Sequence, residues 1–134
     1  MATTTPATTS PRPTLEQQRA ADAWVCAQGR SSKYVNLAKA LPALIMNSGL
    51  LQVLAFLHEK SAKPAERHCG DLGDQLRRWL HKRFPDNLDG AGFPPFMQSL
   101  MAAEPQTFQA VTTEALAWLR WLRQIAPAVP GGTN

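Results

Sequence analysis

Arg77, Arg78 and Lys82 cluster around His81 in a stretch whose apolar residues, Leu72, Leu76, Trp79 and Leu80, fall on the opposite side at helical spacing. Cations held on one side of a rigid helix suit phosphate oxygens, which they position without reading base sequence. Lys33 and Lys39 lie on an earlier amphipathic stretch and could join the same field. Between Arg30 and Arg83 stand ten basic residues against four acidic ones, a local charge of +6 in a chain whose net charge is +4. Concentrated positive charge attracts polyanions more strongly than the same charge spread thinly. The competing explanation is a solvated face that keeps the chain soluble.

Other chemistry is sparse. The histidines are His58, His68 and His81, and the cysteines Cys26 and Cys69. A zinc site needs three or four ligands at short, paired spacings. His68 and Cys69 are adjacent, neighbouring side chains ordinarily diverge, and Cys26 is far away, so no metal and no other cofactor is expected. A cysteine nucleophile would need a base, an orienting group and an oxyanion pocket. No loop long enough to build one is visible, so no catalytic residue and no enzyme is expected. Asp71 and Asp74 fit helix capping and the helix dipole better than an acid–base pair. Gly70-Asp71-Leu72-Gly73 has too few glycines and the wrong charge for a phosphate loop. Trp24, Trp79 and Trp118 fall in or near apolar stripes and read as core. Trp121, beside Arg120, is offset from its stripe, and the two are expected at a protein contact.

The elements that must position these residues are helices. Thr14 and Gln17 form a capping box, and Ala20, Ala23, Trp24 and Ala27 make one buried face before Gly29. A second helix follows Ser31-Ser32, with a kink or break expected at Pro42. Asn47-Ser48-Gly49 is a corner. A third helix from Leu50 to about Lys60 is apolar nearly all round and reads as the centre of the core. Residues 61–70 read as a loop, with Asp71 capping a fourth helix that ends at Phe84-Pro85. A short helix from about Pro95 to Ala103 and a last one from Pro105 complete the set. No β-type alternation and no repeat is present. The fold class is all-α: a single compact bundle of about six helices over 14–126, with disordered tails at 1–13 and 127–134.

Length and composition bound the rest. The 134 residues, 44% of them hydrophobic, suit one domain with one core. No apolar run approaches the roughly 18 residues of a membrane span. With no secretory signal in view, a cytoplasmic protein with reduced, buried cysteines is expected.

Two stretches carry a specific resemblance. The first is Lys33-Tyr34, Leu37-Ala38-Lys39, Leu41-Pro42, Leu44-Ile45, Asn47, Gly49-Leu50 and Leu54-Ala55-Phe56-Leu57. The second is Glu114-Ala115-Leu116 with Trp118-Leu119-Arg120-Trp121-Leu122. Together they resemble the small helical subunit of type III-B (Cmr) CRISPR effector complexes. The resemblance implies a non-catalytic bundle present in several copies beside the backbone subunit, with basic surfaces facing guide RNA and target RNA, in antiviral defence. It makes the Lys33 to Lys39 segment a candidate contact with RNA or a neighbouring subunit. Ala40 departs from the family, which often has a second basic residue there. The RNA-contacting set expected from residues and resemblance together is Lys33, Lys39, Arg77, Arg78 and Lys82. The alternatives are a pure protein-interaction module and the analogous small subunit of type III-A (Csm) complexes.

Overall fold

The computed structural model describes residues 11–132. Six α-helices run in chain order: α1 Leu15–Ala27, α2 Ser32–Ser48, α3 Leu50–Lys60, α4 Arg67–Arg83, α5 Phe93–Met101 and α6 Pro105–Ile125. Short 3-10 turns span Pro64–Glu66 and Ala126–Ala128, and no strand occurs among the described residues. No helix among them is long and apolar enough to cross a membrane.

Local chemistry sets the boundaries. Gln17 N–H donates to Thr14 Oγ1 at 3.1 Å and Thr14 N–H to Gln17 Oε1 at 2.7 Å, the reciprocal pair that opens α1. At the α2–α3 corner, Gly49 adopts φ +88°, which a side chain would strain. Its N–H closes α2 on the Ile45 carbonyl at 2.7 Å, and its own carbonyl accepts from Val53 at 3.2 Å to start α3. Helix α2 runs through Pro42 without a break. Only the Ala38 carbonyl forfeits its helical donor there.

Helix α1 lies along α6, α6 packs on α2, and α2 contacts α3 and α4. Helices α3 and α4 lie side by side, and α5 contacts both. Trp79, Trp118, Tyr34 and Phe96 are fully buried among leucines of all these helices except α1, which adds Ala23, Cys26 and Ala27.

Several expectations are corrected. Helix α4 begins at Arg67, not Asp71, so Gly70 and Gly73 are helical residues rather than loop residues. A Cβ on Gly70 would meet Ser61 Cβ at 2.7 Å, and one on Gly73 would meet Leu57 Cβ at 3.3 Å. The glycines let α4 approach α3. Helix α3 is buried on one side only, with Phe56 45% exposed. Trp24, expected in the core, is 55% exposed. Past α6 the chain stays docked beyond the expected boundary at 126: Val129 is buried, and Gly132 N–H donates to the Arg30 carbonyl at 2.9 Å. The tail readings for 1–10 and 133–134 lie outside the described residues; 11–13 are exposed and non-helical.

Candidate nucleic-acid interface

A cleft of about 440 Å³ opens where the α1–α2 turn faces the start of α4. Gly29, at φ +65°, reverses the chain after α1. Ser31 Oγ then accepts the Tyr34 N–H at 3.2 Å and caps α2. Across the cleft, the Pro64–Glu66 turn leads into Arg67 at the first position of α4. The first turns of two helices therefore meet here, and the positive ends of their dipoles add to the positive potential.

Arg30, Lys33, Arg67 and His68 line the cleft, opposed by the single acid Asp71. Arg30 is held in place: its Nε donates to the Cys26 carbonyl at 2.8 Å, one terminal nitrogen lies 3.3 Å from Asp71 Oδ2, and its guanidinium sits 4.9 Å from the Tyr34 ring centre. Tyr34 is fixed in turn by its hydroxyl, 2.5 Å from Gln75 Oε1 on α4. Lys33 is exposed and reaches the Ala65 carbonyl at 3.3 Å. Lys33 and Arg67 make no ion pair among the described residues.

The other basic candidates divide. Arg78 and Lys82 are exposed on α4. Arg67, Asp71, Arg78 and Lys82 recur at intervals of four or seven, so they share one face of the helix that runs out of the cleft. Arg78 and Arg30 both lie near enough to Cys26 for their charges to act on its thiol. Lys82 also sits over the Trp79 ring, 5.8 Å from its centre.

Arg77 is corrected in position. It is only 4% exposed and serves the fold: one nitrogen donates to the Ala91 carbonyl at 2.6 Å, another pairs with Asp74. It tethers the loop before α5 to α4. Lys39 is exposed but does not line the cleft, and its backbone carbonyl accepts from Arg123 on α6 at 3.3 Å. Arg120 is exposed, while Trp121 is half-buried and packs against the core.

Away from the cleft, Glu114 ties three helices. Its carboxylate accepts two hydrogen bonds from Arg19 at 2.8 and 2.7 Å and one from the Trp79 indole at 3.0 Å, with Arg83 Nε at 3.7 Å. Burial pushes this carboxyl up, but the bonds from Arg19 and Trp79 and the nearby positive charges outweigh it, leaving it below its ordinary value. Arg19 is raised in return by the Glu114 hydrogen bond. Trp118 donates to Asp22 at 2.8 Å. Burial first, then the charge of Asp22, pushes the Cys26 thiol up to about 11.

Glu66, His68 and Cys69 converge beside the cleft. His68 Nε2 lies 3.7 Å from both Glu66 Oε1 and Cys69 Sγ, and Glu66 Oε1 lies 3.8 Å from Cys69 Sγ. The expectation that His68 and Cys69 diverge is therefore corrected. The far ring nitrogen of a histidine reaches where its Cβ does not point. Both cysteines are buried and unbridged.

Arg30, Arg67 and His68 line the cleft and are absent from the expected set. Arg30 was legible as part of the basic segment. Arg67 was hidden by the reading of 61–70 as a loop; its spacing from Asp71 and Arg78 carries meaning only once the helix begins there. With the geometry in place, the comparison with known families bears on it: the family model described as CRISPR-associated protein (Cas_Cmr5) matches residues 15–129.

Proposed function

The chain belongs to the Cas_Cmr5 family, and so is a subunit of a type III-B CRISPR (Cmr) complex; from that premise we propose that it is a non-catalytic structural subunit whose cleft holds the sugar–phosphate backbone of guide or target RNA. The observation that carries this reading is the meeting of Arg30, Lys33 and Arg67 with the opening turns of α2 and α4. Such a surface grips phosphate and is indifferent to base identity. Arg78 and Lys82 extend it along α4, so a strand leaving the cleft would follow that helix. In this reading the protein acts in the cytoplasm, in antiviral defence.

The test is photocrosslinking of short single-stranded RNA to the full chain, with the attached peptides mapped. Crosslinks on residues 28–39 and 63–82 are expected. Crosslinks confined to α5 and α6 would overturn the assignment.

A specific observation favours a protein contact as well. Leu44 and Phe56 expose apolar side chains on neighbouring helices and flank a shallow groove of about 230 Å³. Exposed apolar clusters of this kind serve subunit contacts. In the assembly this face meets a backbone subunit or another copy of the chain. Phe56→Asp should reduce co-purification with other Cmr subunits while leaving RNA binding by the isolated chain intact; unchanged co-purification would contradict it.

A further inference from the structure

Glu66 Oε1, His68 Nε2 and Cys69 Sγ form a nearly equilateral triangle with sides of 3.8, 3.7 and 3.7 Å. An ion at the centre of a tetrahedron built on that face lies about 2.3 Å from each atom, the zinc–sulfur distance and within about 0.3 Å of those for imidazole nitrogen and carboxylate oxygen. The geometry points to a zinc-binding site formed by Glu66, His68 and Cys69 at the start of α4. This inference stands apart from the RNA reading.

Three features support the choice of ion and site. The donor set mixes thiolate, imidazole and carboxylate, which suits a borderline-soft divalent cation and does not suit magnesium or calcium. The ligands span one short piece of backbone, from the last residue of a 3-10 turn to the third residue of α4. Preorganisation is therefore high, because little chain entropy is lost on binding. Access is also present: Cys69 is buried, but the Glu66 side chain is 38% exposed and the His68 side chain 15%.

On binding, the Cys69 thiol releases its proton to solvent as the sulfur–zinc bond forms, and neutral imidazole and ionised carboxylate supply the other two bonds. The three side chains leave the fourth tetrahedral position to water. A bound ion would clamp the Pro64–Glu66 turn onto α4 and add positive charge beside Arg67.

The test is titration of the full chain with Co²⁺ as a spectroscopic stand-in, followed by displacement with Zn²⁺. A thiolate-to-cobalt charge-transfer band should appear, saturate at about one ion per chain, and vanish on addition of Zn²⁺. Cys69→Ser should abolish the band, and His68→Gln should weaken binding by roughly tenfold or more. Cys26→Ser should leave the band intact. Circular dichroism checks that each variant is folded. Glu66→Gln, at a half-exposed position, keeps the test decisive if Cys69→Ser unfolds: it should also weaken binding. No band from the folded parent chain, or a band lost with Cys26→Ser but kept in Cys69→Ser, would overturn the site.

Discussion

Trp79 donates its indole N–H to the Glu114 carboxylate at 3.0 Å, at the point where Arg19 holds that carboxylate with two further bonds. One acid on α6 thus joins α1 and α4, and the face of α4 that leads to the cleft is held in register by a residue far from it. Arg83 Nε is buried with no hydrogen-bond partner and lies 3.7 Å from the same carboxylate.

Glu114→Ala should destabilise the fold by about 3 kcal/mol, the low end for breaking a buried pair, because Arg19 keeps some solvent contact. Glu114→Gln should cost less, since its amide oxygen can still accept from Trp79. Denaturant unfolding followed by tryptophan fluorescence measures both. Equal costs would show that the charge contributes nothing.

The Glu114 carboxyl also sets an acid limit. Its folded value lies below the ordinary 4.5, so the unfolded chain takes up the proton first. The stabilisation is full above about 4.5 and is lost as pH falls through the lower folded value. Unfolding free energy measured over this range should decline more steeply for the parent chain than for Glu114→Gln.

The alkaline limit has the opposite sign. Cys26 is pushed from 9.0 to about 11, chiefly by burial, and Tyr34 is raised by the same cause. The Cys26 contribution is present below about 9 and is lost as pH rises through about 11, while that of Tyr34 persists to higher pH. Cys26→Ala should reduce the alkaline loss, and in the native chain Cys26 should react with thiol reagents far more slowly than in the unfolded one.

The two α4 glycines should separate. Gly70→Ala brings Cβ to 2.7 Å from Ser61 Cβ, so α3 and α4 must part. A cost of about 1–3 kcal/mol follows. Gly73→Ala meets Leu57 Cβ at 3.3 Å, and the helix-propensity gain of about 1 kcal/mol roughly offsets that contact. Urea midpoints compare the two directly.

These glycines also explain what sequence could and could not reveal. The Thr14–Gln17 box, the Gly49 corner and the Pro105 start announce themselves through local backbone chemistry, and the structure has them where spacing puts them. Gly70 and Gly73 announce the opposite of what they do, because close helix packing is a tertiary demand that looks like a helix breaker in one dimension. The same shift of the α4 start hid Arg67. Helical spacing puts Arg77 on the polar side of α4, yet its Asp74 partner, three residues earlier, is legible in the sequence as an ion-pair spacing. Trp24 is the opposite case: its position fits a stripe of small alanines, but the residues of α1 that are buried are Ala23, Cys26 and Ala27.

The most direct measurement is the salt dependence of single-stranded RNA binding by the full chain, with Lys33→Glu/Arg67→Glu compared against Lys39→Glu. Binding to phosphate releases counterions, so the log–log slope should become shallower by about 0.7 for each phosphate contact removed from the cleft. The account predicts weaker binding and a shallower slope for the double variant, with Lys39→Glu close to the parent. A double variant that binds RNA with the parent's affinity and slope would contradict the cleft as the RNA-holding surface.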